Sequence, residues 1–224
     1  MPEPDHRCLD EDLLSRRCRS PFPDGSMHRF IPQSCVTELL TPSRIREELE
    51  FKLQPGSAID DGIVEYIYTS AKLLFCITLS ARLCGNGLYE VMRIFHQGGL
   101  KDTDLPISGR KYPELLTTDD VEITLTEHNL FKTGPWIRNH RTCVDFTTNQ
   151  WMYLAPVFAS SSVTMDLEED HILPFTEVGS IKKQGTFGNV YQVTIHASHQ
   201  EVPLLKVRPY TAYGMSDYLW FWFQ

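Results

Sequence analysis

The chain has 224 residues, of which 42% are hydrophobic and 11% aromatic, and its formal net charge is -8. This composition suffices for one sizeable core or two small ones, and it excludes a wholly disordered chain. The acidic balance argues against a nucleic-acid partner, because phosphate backbones are bound by basic surfaces.

The cysteines and the lengths of the apolar runs indicate the cellular compartment that we expect for this protein. The six cysteines form no C-x-x-C pair, and the acidic, proline-broken N-terminus lacks the apolar core of a signal peptide. We therefore expect reduced thiols in a cytoplasmic or nuclear protein rather than a secreted disulfide framework. Apolar runs such as Leu73–Leu79 are far shorter than the roughly 20 residues of a membrane span, so no membrane partner is predicted.

The N-terminal third begins with a predicted tail and continues into a helix. Residues 1–33 mix proline, serine, arginine and acidic residues without periodicity, which predicts a flexible, disordered tail. Thr41-Pro42 has the pattern of a helix N-cap followed by the first helical residue. Apolar residues then recur every four positions, at Ile45, Leu49 and Leu53. This spacing predicts an amphipathic helix that ends before the Pro-Gly-Ser segment 55–57.

Two more helices are predicted before residue 100. The segment from Ala58 to Cys84 carries apolar residues near helical spacing and predicts one long helix, stopped by Gly85-Asn86-Gly87. A shorter helix is predicted from Leu88 to Gln97. Its inward face consists of Leu88, Val91, Met92 and Phe95. Residues 34–99 are thus predicted to be a helical region whose role is packing.

Residues 100–170 differ in residue pattern from the helical region and are predicted to be a mixed connecting region with short strands. Val121–Thr126 alternates apolar and polar residues, which predicts a strand. Trp151–Phe158 is a continuous apolar run that contains Pro156, so it predicts an edge strand or a buried extended segment.

The segment from Ile172 to His196 predicts a β-hairpin. A glycine-rich turn centred on Gln184–Phe187 separates two apolar stretches. In the second strand, an apolar face is formed by Tyr191, Val193 and Ile195. An ordinary hairpin connection is the simplest alternative to a functional loop. His196 and His199 would lie on opposite faces of a strand, so we interpret them as a solvated strand end rather than a metal site.

The turn resembles the glycine-rich loop of protein kinases, G-x-G-x-x-G-x-V. Four residues match this pattern. Gly185 and Gly188 match its second and third glycines, Phe187 matches its loop-tip aromatic residue, and Val190 matches its adenine-contacting valine. Lys183 stands where the family has its first glycine. The resemblance implies ATP binding, with magnesium in the parent family, through Gly185, Thr186, Phe187, Gly188 and Val190. No other cofactor is implied.

Kinases also hold the α- and β-phosphates with a lysine on the third strand of the same sheet. By resemblance the candidate is Lys206, which lies in an apolar context of the kind that a buried strand has. A competing placement puts the third strand at Tyr210–Met215, which contains no lysine. Both placements stay open at the level of sequence.

A second stretch resembles fungal kinase-like proteins. Gln150–Phe158, followed by Leu173-Pro174-Phe175, is similar to the region that precedes their kinase domain. Residues 171–215 are therefore interpreted as a partial kinase N-lobe, and the aromatic residues 216–224 as an aberrant tail outside it.

No H-R-D, D-F-G or A-P-E motif occurs in the chain, so the catalytic base and the metal ligands of a kinase are absent. The sequence predicts an α+β fold and a truncated protein-kinase-like protein. Its parent activity would be ATP-dependent phosphorylation of protein serine or threonine, and this chain would bind ATP weakly without catalysis. The alternative is a non-catalytic protein-interaction module built on the helices between Thr41 and Gln97.

Overall fold

The computed structural model describes residues 8–22, 28–53, 58–83, 87–107, 140–159, 167–179, 183–185, 188–201 and 219–223. It confirms an α+β fold. The helices are α1 Leu9–Ser15, α2 Gln33–Leu39, α3 Pro42–Lys52, α4 Asp61–Ser70, α5 Lys72–Ser80, α6 Gly87–Gln97 and α7 His140–Asn149. The strands are β1 Cys18–Arg19, β2 Arg29–Phe30, β3 Phe175–Val178, β4 Lys183–Gly185, β5 Gly188–Ile195 and β6 Leu219–Phe223.

The first predicted helix is confirmed as α3. The Thr41 hydroxyl accepts a hydrogen bond from the backbone N–H of Arg44 at 3.3 Å, and Pro42 occupies the first turn. Ile45 and Leu49 are fully buried, as their spacing predicts. Local capping and periodicity therefore account for this helix.

The single long helix predicted from Ala58 to Cys84 is wrong. The chain breaks at Ala71 (φ -142°, ψ 34°) into α4 and α5, which are bent by 102°. The second helix begins anew because the Asp102 carboxylate accepts hydrogen bonds from the backbone N–H groups of Leu73 and Leu74, at 3.1 and 3.0 Å. A residue 29 positions away thus caps a helix whose own sequence offers no cap.

The predicted helix from Leu88 to Gln97 is confirmed as α6, and its predicted inward face is buried. The helix ends because Gly99 adopts φ +69°, a left-handed conformation that favours glycine. Its N–H bonds the carbonyl of His96, and the N–H of Leu100 bonds that of Phe95. This pair of bonds is the Schellman closure of a helix C-terminus.

The helices share one large apolar core, to which α1 to α7 all contribute. Helix α7 was not predicted, and it places Phe146 in that core with no exposed surface. The run from Trp151 to Phe158 begins in a 3-10 turn, Gln150–Met152, and then has no regular secondary structure up to a single bridge between Phe158 and Gln200. Tyr153, Ala155 and Phe158 are its buried residues.

The prediction of a flexible tail over residues 1–33 is wrong for the part that the structure describes. Helix α1 buries Leu9 and Leu13 completely against the helical core. After it, β1 pairs antiparallel with β2, and Ile31 donates a backbone hydrogen bond to the Met152 carbonyl at 2.7 Å. These contacts lie far apart in sequence, so the local composition gave no sign of them.

The C-terminal sheet is antiparallel and centred on β5. One edge of β5 pairs with β3 and then β4, and the other edge pairs with β6. A second, smaller core lies on the inner face of this sheet. It consists of Phe158, Leu173, Phe175, Val193 and Ile195.

The interpretation of residues 216–224 as a tail outside the fold is wrong for Leu219–Phe223. These residues form β6, whose register places Leu219 opposite Val193 and Phe223 opposite Asn189. A strand completes its hydrogen bonds by pairing, and β5 offers a free edge at these positions once β3 and β4 occupy the other. The predicted strand at Val121–Thr126 lies outside the described residues.

No single helix in the described ranges is long and apolar enough to span a membrane; α4 and α5 reach that length and composition only as a bent pair.

Candidate functional site

The glycine-rich turn closes a β-hairpin, as predicted. Lys183 lies opposite Val190, and Gly185 lies opposite Gly188, so the chain reverses between the two glycines. The reversal falls inside the predicted turn, although Gln184 and Gly185 belong to the strand β4. On the second strand, the predicted inward residues Val193 and Ile195 are buried.

Only part of the predicted ATP site lies within the described residues. The backbones of Gly185, Gly188 and Val190 are placed together at one end of the hairpin. Thr186, Phe187 and Lys206 lie outside the described residues. The structure therefore tests the hairpin that would carry the site and leaves the binding of ATP as a prediction.

The phosphate-binding lysine was predicted on a third strand of this sheet, so the strand that pairs with the far edge of β5, away from β3 and β4, is relevant to it. That strand is β6, with the sequence Leu-Trp-Phe-Trp-Phe, and it contains no lysine. In a kinase sheet the phosphate-binding lysine projects from the third strand. Both predicted third strands, around Lys206 and at Tyr210–Met215, fall in the undescribed range 202–218.

A cavity of about 370 Å³ lies among the ends of α1, α3, α5 and α6. Its polar lining includes Cys8, Asp10, Lys52 and Arg82, and its apolar lining comes from leucines. Burial raises the pKa of the Cys8 thiol, so this thiol is protonated near neutral pH and is a poor nucleophile. Among the described lining residues, therefore, no cysteine is activated for covalent chemistry.

A buried carboxylate lies beside this cavity. The Glu48 side chain has no exposed surface. It accepts hydrogen bonds from the Leu9 backbone N–H at 2.9 Å and from the Cys8 thiol at 3.4 Å, and the Lys52 ammonium lies 3.8 Å away. Because α1 has no cap from its own sequence, Glu48 satisfies one of its free N–H groups. The cluster fastens α1 to α3, which is a structural role.

A second polar network joins α1 to α5 and to the segment after α7. The Ser80 hydroxyl lies 2.8 Å from an Asp10 carboxylate oxygen and 2.7 Å from the Tyr153 hydroxyl. Since the carboxylate only accepts, Ser80 donates to Asp10 and Tyr153 donates to Ser80. Burial raises the pKa of Tyr153 well above its usual range, so the phenol stays protonated as a donor. This network also holds elements together.

The interpretation of His196 and His199 as a solvated strand end is wrong for His199. The chain leaves β5 after Ile195, and the 3-10 turn Ala197–His199 carries the second imidazole inward, where it is 1% exposed. The two rings lie 5.9 Å apart between centroids. Among the described residues, no group of three or more histidine, cysteine, aspartate or glutamate side chains is arranged to hold a metal ion.

None of the described cysteines is in a disulfide bond. Cys8, Cys18, Cys35, Cys76 and Cys143 make up this set. Burial raises the pKa of Cys76 and of Cys143, so neither is activated.

Comparison with family models, with curated proteins and with solved structures finds no match to this chain. The resemblance to protein kinases therefore rests on the sequence alone, in the glycine-rich turn with its flanks, at Lys206 and in the stretch Gln150–Phe158.

Sequence reasoning missed Glu48, Asp102 and His199, which hold the elements together. Glu48 carried a local signal, since it lies at the i+3 position from Ile45 on the apolar side of α3. Asp102 and His199 carried none, because their partners are distant in the chain.

Proposed function

We propose that this chain is a non-catalytic, kinase-like protein whose β4–β5 turn binds the phosphates of ATP weakly. One observation carries the proposal: the register that sets Gly185 opposite Gly188 at the end of the hairpin. Two glycines at this place let backbone N–H groups approach a polyphosphate without Cβ interference. Lys183 in β4 adds positive charge in a chain of net charge -8.

The proposed affinity is low, and no chemistry follows binding. The proposed site uses the glycine-rich turn on one side of the ligand, and a one-sided site buries little of the ligand surface. We expect a Kd of about 1 mM, or near 4 kcal/mol. Phosphotransfer is not expected, because the sequence carries neither the metal-binding nor the base motif.

Amide chemical shifts during an ATP titration test this proposal. The resonances of Gly185, Gly188 and Val190 should move together and saturate in the millimolar range. Gly188→Val should weaken the response by about tenfold or more, because a branched side chain holds the phosphates away from the backbone.

Gly179→Ala is the matched control for this titration. A Cβ at Gly179 meets its nearest atom, the Gln192 carbonyl oxygen, at 3.4 Å, so alanine fits there. This variant should bind as the wild type does. Unmoved resonances at all three positions in high ATP would show that the turn is only a connection.

The second candidate is a protein-interaction module on the helices between Thr41 and Gln97. The observation in its favour is the exposure of two aromatic side chains, Phe51 at 60% and Tyr68 at 38%. Each has a lysine ammonium over its ring, Lys52 at 5.7 Å and Lys72 at 4.0 Å. An aromatic ring beside a cation suits a partner surface that is acidic and partly apolar.

Paired variants separate the two functions. Phe51→Ala and Tyr68→Ala should each lower the affinity for an acidic amphipathic peptide by about tenfold, since an aromatic anchor commonly contributes 1–2 kcal/mol. ATP-dependent shifts at Gly185 should stay the same in both. Leu167→Ala is the control, because Leu167 is exposed to a similar extent and lies outside the helices. Equal peptide binding by all variants contradicts this second function.

A further inference from the structure

The buried imidazole of His199 connects three segments. Its Nε2 accepts a hydrogen bond from the Gln33 backbone N–H at 3.2 Å, at the start of α2. Its Nδ1 lies 3.1 Å from the Pro156 carbonyl oxygen. A carbonyl only accepts and a backbone N–H only donates, so Nδ1 carries the proton and Nε2 is bare. The contacts thus fit one tautomer of the neutral ring.

The backbone around His199 makes further contacts in the joint between the helices and the C-terminal sheet. The His199 carbonyl accepts a hydrogen bond from the Phe158 N–H at 2.8 Å, and the Glu201 N–H bonds the Phe158 carbonyl at 3.1 Å. The Phe30 ring packs edge-on against the imidazole, with 5.2 Å between centroids. These contacts join β2 and α2 to the end of β5.

A second proton on His199 would occupy the nitrogen that accepts from the Gln33 N–H. Protonated Nε2 would face the Gln33 N–H, so two donors would oppose each other. Burial lowers the pKa of His199, and His196 lowers it further, while nearby carbonyls of residues 155, 156 and 31 act in the other direction. No carboxylate is among these groups.

Other charged groups on the surrounding elements are paired or exposed. On α2, the Glu38 carboxylate pairs with Arg16 at 2.8 Å. On β2, Arg29 is exposed, and so is Glu201 after the 3-10 turn. From the end of β5 the titratable neighbour is His196, whose own pKa burial lowers. None of these described groups compensates an imidazolium at His199.

We propose that His199, Gln33 and Pro156 form a latch, opened by acid, that holds the C-terminal sheet against the start of α2. The neutral ring holds the latch closed, and protonation at Nε2 removes the acceptor of the Gln33 N–H and opens it. The folded pKa lies below the usual 6.5, so the contribution of the latch is full above that pH. It is lost as the pH falls from 6.5 toward the folded pKa.

Hydrogen exchange of the full chain at about pH 7.5 and about pH 5.5 tests the latch, with rates corrected for the intrinsic effect of pH. Peptides over residues 29–36, 153–158 and 192–200 should lose several-fold protection at the lower pH. The ceiling is about tenfold, which is the proton-linkage factor one unit below the unfolded pKa. Peptides over α4 to α6 should change much less.

His199→Gln keeps a donor and an acceptor but does not titrate, so it should abolish the pH response of these peptides. His28→Gln, at an exposed histidine, should retain it. Equal protection of the wild type at both pH values, or an unchanged pH response in His199→Gln, overturns the proposal. The ring titration of His199 in the wild type by NMR decides the matter if the variant does not fold. A pKa at or above 6.5 also overturns it.

Discussion

Glu48→Ala should lower the free energy of unfolding by about 2–3 kcal/mol. The substitution removes a fully buried carboxylate and leaves the Leu9 N–H without its 2.9 Å acceptor. It also leaves the Lys52 ammonium without the anion that lies 3.8 Å away. A buried polar group that loses its partner costs the full desolvation penalty, which sets the size of the effect. Urea denaturation monitored by circular dichroism measures it.

Two further variants serve as comparisons for Glu48→Ala. Glu48→Gln keeps an oxygen acceptor for the Leu9 N–H and should cost about half as much. Glu50→Ala, at an exposed position of the same helix, should stay within about 0.5 kcal/mol of the wild type. An unfolding free energy for Glu48→Ala equal to that of Glu50→Ala would mean that α1 does not depend on this carboxylate.

Deletion of residues 216–224 should destabilise the sheet. The deletion removes β6, which pairs with β5 from Asn189 to Val193. Without β6, one edge of β5 would be unpaired and only the pairing with β3 and β4 would remain. A two-stranded ribbon of this kind is marginal in water. We expect the amides of residues 188–195 to exchange faster by at least about tenfold, or 1.4 kcal/mol. Exchange mass spectrometry, together with the cooperativity of the thermal melt, measures this.

The opposite outcome has a clear meaning as well. From the sequence alone, five aromatics in this short terminal stretch predict an aggregation-prone end whose removal improves solubility. A shortened chain that is more soluble, melts as cooperatively and keeps its protected amides would support that prediction and contradict a role for β6. A chain that ends at Phe223 is the matched control, since it loses one residue and keeps the strand.

Local chemistry made part of the fold predictable. Helix α3 follows from the cap at Thr41 and the four-residue spacing of its apolar side chains, and α6 follows from its apolar face and its Gly-Gly stop. The β4–β5 hairpin follows from glycines between alternating strands. In each case the deciding interaction joins residues that lie within a few positions, so the sequence pattern and the structure express the same contacts.

The candidate ATP site was predictable only as a turn. A glycine pattern determines that the backbone is free to approach a phosphate, and the register agrees with that. Whether a lysine reaches the same place depends on which strand pairs with the far edge of β5, and β6 occupies that edge in the described sheet. Strand order is decided by pairing between distant segments, which periodicity does not encode.

By itself, the sequence of this protein determined the α+β class, the ends of α3 and α6 and the position of the glycine turn, because caps, periodicity and glycine act over one or two helical turns. Only the tertiary structure decided that α1 is core, that α4 and α5 are two helices, and that residues 219–223 are a strand. Glu48 reaches Leu9 across 39 positions, and Asp102 reaches Leu73 across 29. A buried backbone N–H needs an acceptor, and which residue supplies that acceptor depends on the tertiary structure rather than on proximity along the chain.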